Sequence, residues 1–474
     1  MTAVAIAVSL LAVLVAGYGL FTLWLMLSAW ERPALLRSTA GPSAFAEPRL
    51  SFAVLIPARE EEAVIGETLA RVWAANYPRE LLEVIAICQE DDERTIAAVR
   101  RQIEELGDEH VRLVLYDSPP FNKPHALNVG NAACGSDVVT VFDAEDDVHA
   151  DIFNVMNTVM LEDRVGVVQG GVQLMNFAEH WFSAFNCVEY FFYFRSRLHF
   201  NARVGMVPLG GNTVAIRSEL IDRVGGWDEA CLTEDADIGV RLSALGEPIR
   251  VVYDSRWVTR EETPHSVRAL VQQRTRWSQG FLQVLGKGDW RRIDGVGRRV
   301  LAAATFGGPI VDGLLISVVP LIPFALLYLK LPVLAALLSM APMYVVGLQM
   351  LAWTIGLVEF ARLYGERVPL RMIVRMPIAC LACQWLIGYS ALRAIARLIR
   401  GRSEWEKTEH HGAHRGEPVA PIAPATAGAR QARPKPVLAP GAQPLGQTAP
   451  QLSPAPVAEP ALMASARPSR EPLG

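Results

Sequence analysis

The chain shows no excess of positive charge. Lysine and arginine total 45 against 49 aspartates and glutamates, so the bulk basic signature of a nucleic-acid-binding protein is missing. A cysteine framework is missing too. The six cysteines (Cys88, Cys134, Cys187, Cys231, Cys380 and Cys383) have the spacing of neither a disulfide scaffold nor a zinc site. Cys380 and Cys383 form a CxxC with no second pair and no nearby histidine, and read as small residues of a core or a lipid-facing surface. A third absence concerns the first residues. A cleaved signal peptide needs a basic start and a shorter apolar core than this chain offers. Residues 3 to 30 carry no charge at all and read as a membrane span.

What is present divides the 474 residues into unlike parts. Arg32 and Arg37 follow the first span, and the positive-inside tendency puts the next segment in the cytoplasm. From about residue 50 to 290 the composition is globular. SFAVLIP, LEVIAIC, VRLVLY and DVVTVFD read as buried strands; EEEAVIGETLARVWAAN, DERTIAAVRRQIEEL and KPHALNVGNAAC read as helices. This alternation argues for a parallel α/β sheet, whose ligands bind beyond the carboxyl ends of the strands. Those ends are polar here: Pro57 to Glu61, Cys88 to Asp92 and Asp143 to Asp147.

Residues 300 to 400 are apolar again. A span is expected over 300–329, interrupted by Asp312, and another over 331–360; Arg362, Arg367, Arg371 and Arg375 mark a cytoplasmic loop. The segment 376–399 carries Arg393 and Arg397, with Arg400 just beyond, along one helix face. It reads either as an interfacial helix or as the end of a span. From about Gly416 the chain is rich in Pro and Ala without hydrophobic periodicity, and disorder is expected over 416–474.

Three stretches carry chemistry. VTVFDAEDDVHAD crowds Asp143, Glu145, Asp146 and Asp147 at the end of a buried strand. Like charges so close need an offset. A divalent cation with phosphate ligands supplies one, and hard oxygen ligands suit Mg²⁺ or Mn²⁺; a solvated acidic turn capping the next helix is the alternative. In CLTEDADIGVRLSALG, Thr233, Glu234, Asp235 and Asp237 open an apolar helix. Such acids either favour the helix dipole or include a general base for an attacking hydroxyl. QQRTRWSQG sets Gln273, Arg276 and Trp277 at i, i+3 and i+4 on one helix face. Arg276 offers a donor fork suited to phosphate oxygens, and Trp277 a flat face that stacks on a sugar ring. An interfacial helix uses the same residue types.

In this order, the three stretches resemble those of the membrane-integrated family 2 glycosyltransferases, the group containing cellulose, hyaluronan and chitin synthases. The matching residues are Asp143-Ala-Glu145, Thr233-Glu234-Asp235 and Gln273-Arg-Thr-Arg276-Trp277. IPAREEE at 56–62, KPHALN at 123–128 and PLGGNTVAIRSELIDRVGGWDE at 208–229 extend the match. The resemblance covers roughly residues 50–290 and, more loosely, the membrane part. It implies an α/β GT-A-type nucleotide-binding domain with α-helical transmembrane segments, set in the cell membrane with the domain in the cytoplasm.

The resemblance also implies roles. Asp143 and Glu145 would hold Mg²⁺ or Mn²⁺ against the donor diphosphate, and Asp235 would be the general base. Trp277 would floor the acceptor sugar, and Gln273 with Arg276 would hold acceptor and diphosphate. Lys123 would lie near the nucleotide, with Glu61 and Glu234 among the substrate contacts. Gly210 and Gly211 would let the backbone approach the sugars. SEWEKTEHHG, at 403–412, looks like a divergent form of the loop that closes over the nucleotide in these synthases, with Trp405, Lys407 and Thr408 at work; a plain juxtamembrane stretch is the alternative. Two departures stand out. Cys88 and Gln89 replace the usual paired aspartates, leaving Glu90 as the candidate contact to the base, and the metal motif reads D-A-E where the family has D-x-D, so Asp146 could share the task.

The implied activity is inverting transfer from a nucleotide-sugar, a UDP-sugar first, to build a β-linked glycan, with a processive polysaccharide synthase in view. Single transfer to a lipid-linked acceptor is the second enzyme reading. The expected partners are therefore the nucleotide-sugar, a glycan or lipid-linked acceptor and membrane lipid, with no nucleic acid. A catalytically silent membrane module that secretes or binds polysaccharide is a third reading, against which the intact carboxylates and QRTRW argue.

Overall fold

The computed structural model describes residues 3–31, 40–318 and 330–402, and positions 322, 328, 406, 412, 414 and 415 singly. All of them fall in one compact unit, Met1–Pro421. The chain opens with α1 (Ala3–Glu31). Strands and helices then alternate: β1 (Phe52–Ala58), α2 (Ile65–Trp73), β2 (Leu82–Gln89), α3 (Glu93–Leu106), β3 (Val111–Tyr116), α4 (Lys123–Ala132), β4 (Val138–Val141) and α5 (Ile152–Glu162). Next come β5 (Val167–Gly170), β6 (Val172–Leu174) and α6 (Ser183–Phe192), which runs through a π-helical turn at Tyr193–Arg197 into α7 (Leu198–Val204). The second half of the sheet is completed by β7 (Val214–Arg217), α8 (Ser218–Val224), α9 (Glu234–Ala244), β8 (Ile249–Val252) and β9 (Thr259–Glu261). Five helices end the described chain: α10 (Val267–Lys287), α11 (Val296–Val318), α12 (Val333–Ser339), α13 (Ala341–Tyr364) and α14 (Leu370–Ile399).

Seven strands form one sheet in the order β3-β2-β1-β4-β7-β5-β8, and β6 pairs with β9 in a second small sheet. The expectation of a wholly parallel sheet needs correction. β7 runs antiparallel to both β4 and β5, while the other pairs are parallel. The chain enters β7 at the carboxyl ends of its neighbours, where Thr213 N–H donates to Val141 O at 2.8 Å. From there it can only run back, and an antiparallel pair needs no helical crossover.

Side-chain alternation along each strand builds two cores. Val54, Ile56, Val84 and Ala86 join one cluster with Phe142, Phe153 and the α2 residues Ile65 and Leu69. Leu55, Ile85, Ile87 and Val141 join the other, which continues through Phe185, Val188 and Phe191 to Trp353, Leu357, Phe360, Met376 and Cys383. The second face of the sheet is thus finished by α6 and, behind it, by α13 and α14. Cys380 and Cys383 are free and buried in that layer.

Local starts follow the side chains that cap them. Asp92 accepts from Thr95 N–H at the head of α3, Asn122 from His125 N–H at the head of α4, and Ser266 from Ala269 N–H at the head of α10. The helix expected from Glu60 onward begins only at Ile65, because Glu60 takes a left-handed φ of 56° and the next residues form a turn.

Among the described residues four helices are long and apolar enough to cross a membrane: Ala3–Trp30, Val296–Ile316, Val333–Tyr364 and Leu370–Ile399. For the last of these the sequence allows either an interfacial helix or the end of a span. Both its flanks meet the α/β domain: Tyr364, just before it, lies 2.8 Å from the Tyr253 hydroxyl, and Arg397, near its end, donates to the Gln279 side chain at 3.0 Å.

Candidate active site

The carboxyl end of β4 divides its four acids between two jobs. Asp143 is half-buried and faces a cavity together with Glu145. Asp146 is fully buried; its carboxylate accepts from Asp143 N–H at 2.8 Å and from the Asn212 amide at 2.8 and 2.9 Å. Burial, with Glu261, Asp143 and Glu145 nearby, holds its pKa well above the ordinary value. Asp147 accepts from Arg71 at 2.7 Å. Asp146 therefore braces the turn, and the idea that it shares metal ligation does not fit its enclosed position.

Lys123 reaches the same place from the first turn of α4. Its ammonium donates to Gly211 O at 2.9 Å and to the Asp143 carboxylate, and lies 3.8 Å from Glu234. Burial works to lower its pKa, but Asp143, Glu234 and Asp235 outweigh burial and hold it above the ordinary value. Gly211 lies against both groups: a Cβ at that position would stand 3.4 Å from an Asp235 carboxylate oxygen and 3.6 Å from the Lys123 ammonium, ordinary van der Waals contact.

The start of α9 is divided in the same way. Glu234 and Asp235 face the cavity, whereas Asp237 is buried, accepts from Arg241 at 2.8 Å and pairs with Lys287. Burial pushes the Glu234 carboxyl up to about 7, with Lys123 opposing. Asp235 is likewise raised, by burial, against backbone hydrogen bonds and the Lys123 and Arg276 charges. A carboxylate pair poised this way suits proton transfer near neutrality.

α10 brings the QRTRW residues alongside because Gly280 packs directly on Thr233. A Cβ at 280 would fall 2.5 Å from the Thr233 side chain. Gln273, Arg276 and Trp277 then line the cavity opposite Asp235. Trp277 is not open on both sides. The Arg274 guanidinium lies 4.2 Å from the indole centroid, and the Tyr190 ring stands 6.3 Å away. Arg274 is itself bound to Glu189 at 2.6 Å.

One cavity of about 710 Å³ joins all of these groups. Glu61, Lys123, Asp143, Glu145 and Gly211 line it together with Glu234 and Asp235. Glu90 does not: it is exposed and outside the lining, because β2 ends at Gln89 and the chain turns outward into α3. Trp405, Lys407, Thr408 and the 416–474 tail lie outside the described residues. Glu406 is described, and accepts from Arg393 at 2.6 and 2.7 Å and from Arg397 at 2.8 Å.

The sequence reading passed over several lining residues. Glu261 ends a three-residue strand and Glu262 follows it, with no motif around them; Glu189 and Arg274 meet across 85 positions. Only the basic residue inside QRTRW offered a signal.

Among the described residues no three His, Cys, Asp or Glu side chains gather as a metal cluster. Two cavity-facing carboxylates, Asp143 and Glu145, fit a hard divalent ion that completes its shell with substrate phosphates and water. They do not fit a closed structural metal site.

A sheet with acids at its carboxyl ends, a buried lysine, and a carboxylate pair facing an arginine and a tryptophan defines a GT-A-type α/β protein with attached apolar helices. Residues 48–280 match the family described as Glycosyltransferase like family 2, and the chain carries a domain of that family. It is 29% identical over 249 residues to the probable glycosyltransferase YdaM of Bacillus subtilis, covering 51% of this chain and 57% of that protein. It is 26% identical over 258 residues to a beta-monoglucosyldiacylglycerol synthase of Synechocystis, covering 53% and 51%. The chain thus matches about half the length of these curated relatives. A mannosyltransferase structure from Pyrobaculum calidifontis, in complex with GDP-Man and Mn²⁺, superposes with a TM-score of 0.51 at 18% identity, covering 84% of this chain and 98% of that one. That likeness concerns the fold.

Proposed function

We propose that the protein is a membrane glycosyltransferase that takes a sugar from a nucleotide-sugar, inverts the anomeric centre and extends a β-linked glycan. One observation carries this reading. The cavity that holds Asp143, Lys123 and Asp235 also has Trp277 in its lining, together with Thr22, Asp312 and Gln349 from three apolar helices. Gln349 donates to Thr22 and to Gly19 O, and polar residues that line a cavity between membrane helices mark the path of a polar passenger. A hydroxyl-rich chain is such a passenger; a lipid tail is not.

Asp143 and Glu145 would hold Mg²⁺ or Mn²⁺, which supplies charge neutralisation for the leaving diphosphate. Lys123 and Arg276 add fixed positive charge beside it. Asp235 accepts the proton of the acceptor hydroxyl as that oxygen bonds to the anomeric carbon. The bond to the donor phosphate breaks on the opposite face, which inverts the configuration. Gln273 and Trp277 hold the acceptor end.

A specific topology supports the exit route. α14 starts and ends against the α/β domain, so we place it along the membrane surface, with α1, α11 and the α12–α13 segment as the crossings. The chain after α14 then stays on the cytoplasmic side. Arg415 donates to Val64 O at 3.0 Å and to Glu67 at 3.1 Å, and His414 lies 4.0 Å from the cavity-lining Glu262. These contacts hold His414 and Arg415 beside the α/β domain, which supports a nucleotide-covering role for the segment 403–412.

A second reading is a single transfer to a lipid-borne acceptor. The Synechocystis relative's name and the apolar lining residues Val15, Leu25 and Val345 favour it. One experiment tests both. The purified protein is incubated with UDP- and GDP-sugars and Mg²⁺ or Mn²⁺, and products are analysed by mass and linkage. Chains of many β-linked sugars support the synthase; one sugar on a lipid supports the second reading; release of no free nucleotide from any donor defeats both.

A further inference from the structure

α6 carries Glu189 and Tyr190 side by side, and both reach the residues of QRTRW. Glu189 accepts from the Arg274 guanidinium at 2.6 Å. Arg274 is buried and its Nε has no hydrogen-bond partner, so Glu189 and the Trp277 ring are what hold this cation at the cavity wall. The guanidinium sits 4.2 Å above the indole. Tyr190 closes in at 6.3 Å with the rings inclined by 40°.

Behind this group α6 is locked onto a membrane helix. Phe185 stacks on Trp353 with centroids 4.2 Å apart and planes 17° from parallel. A Cβ at Gly356 would lie 2.5 Å from the Phe192 ring, so the two helices cross at close range. Glu189 thus stands on a rigid support, and an ion pair inside a buried site holds its geometry more tightly than a surface pair would.

We infer that Glu189 and Arg274 are positioning residues for the acceptor. Arg274 covers one face of Trp277 and pins the indole, so that only the opposite face is offered to the glycan, and Glu189 fixes Arg274. This rests on the proposed function. Neither residue is asked to touch the reacting atoms. Their loss should therefore leave donor binding and hydrolysis by water intact while weakening the hold on the acceptor.

The test compares Glu189→Gln with the double variant Glu189→Met/Arg274→Met. The single change leaves a buried guanidinium without its counter-charge and can disturb folding; removing both charges together usually does not. UDP-glucose, UDP-N-acetylglucosamine and GDP-mannose are supplied in turn with Mn²⁺. Free nucleotide, polymerised sugar and chain length are measured on equal amounts of folded protein.

The ratio of polymerised to hydrolysed sugar is expected to fall by about tenfold in the double variant, the scale of a desolvated cation–π contact. Chains should shorten while the donor KM stays at the wild-type value. An unchanged ratio and chain length in a folded double variant would overturn the inference, as would an equal fall in both reactions. If the wild-type protein uses none of the donors, the proposed function fails on its own. The positioning claim is then read by a thermal double-mutant cycle on Arg274→Met and Trp277→Leu, where additive effects refute it and a coupling supports it.

Discussion

The two acidic turns of this protein, 143–147 and 233–237, look alike in composition and behave alike in one respect. Each sends two carboxylates into the cavity and keeps at least one for its own framework. In the first turn Asp143 and Glu145 face the cavity while Asp146 and Asp147 hold Asn212 and Arg71. In the second, Glu234 and Asp235 face it while Asp237 holds Arg241 and Lys287. The difference lies in what surrounds the cavity-facing pair. The first pair sits at a strand end beside Lys123, where an added cation and phosphates find room. The second pair sits at a helix start under burial that raises both members. A cluster of acids therefore says little until its members are sorted by what each one touches.

The largest effect that tests this sorting is expected from Asp235→Asn. It keeps size and removes the proposed base, so turnover should fall by about 10²–10⁴-fold with donor binding retained. Wild-type turnover would move the base elsewhere and leave the second turn as a helix start only. Next in size is the contrast between Asp143→Ala and Asp146→Ala. The first should abolish metal-dependent nucleotide binding without lowering the melting temperature. The second should cost about 1–3 kcal/mol of stability, because the Asn212 amide and Asp143 N–H lose their acceptor in the interior. Nucleotide titrations with and without Mn²⁺, beside thermal unfolding, separate the two; interchanged results would reverse the assignment.

A smaller effect concerns pH. A base works deprotonated, so a raised pKa means that activity is lost, as pH falls, before the ordinary carboxylate range is reached. With Glu234 at about 7 and Asp235 also raised, the acid limb of kcat should lie above the usual range of aspartate, near ~4. A limb at that usual value would show that the second turn is no more enclosed than a surface site. The smallest effect is expected at Glu90, which is exposed and away from the cavity. Glu90→Gln should change nucleotide affinity by no more than about twofold; a larger loss would bring β2's end back into the donor site.

Much of this was legible in the sequence for a simple reason. Buried strands such as AVLIP and EVIAIC are short apolar runs, and the polar residues that follow each run mark the carboxyl edge of the sheet. Motif order then grouped Lys123, Asp143, Asp235 and Trp277 before any contact was known. What stayed hidden depends on contacts between distant positions. The direction of β7 is set by where the chain enters the sheet, which VAIR does not encode. Asp146 differs from Asp143 only through Asn212, 66 residues away. Arg274 reads as one more basic residue until Glu189 is seen beside it. Glu90 was misplaced because a carboxylate just past a strand looks equally ready to point inward or outward.

The shared core on the second sheet face has a practical consequence. Phe185, Val188 and Phe191 are covered on one side by strands and on the other by Trp353, Leu357, Phe360 and Cys383. No polar boundary separates the α/β domain from the apolar helices there. Cutting the chain after residue 290 would leave that layer facing water, and the fragment should clump rather than dissolve. Detergents that pry the helices apart would likewise reach the floor of the cavity through its back wall, so the gentleness of extraction sets how much activity survives purification.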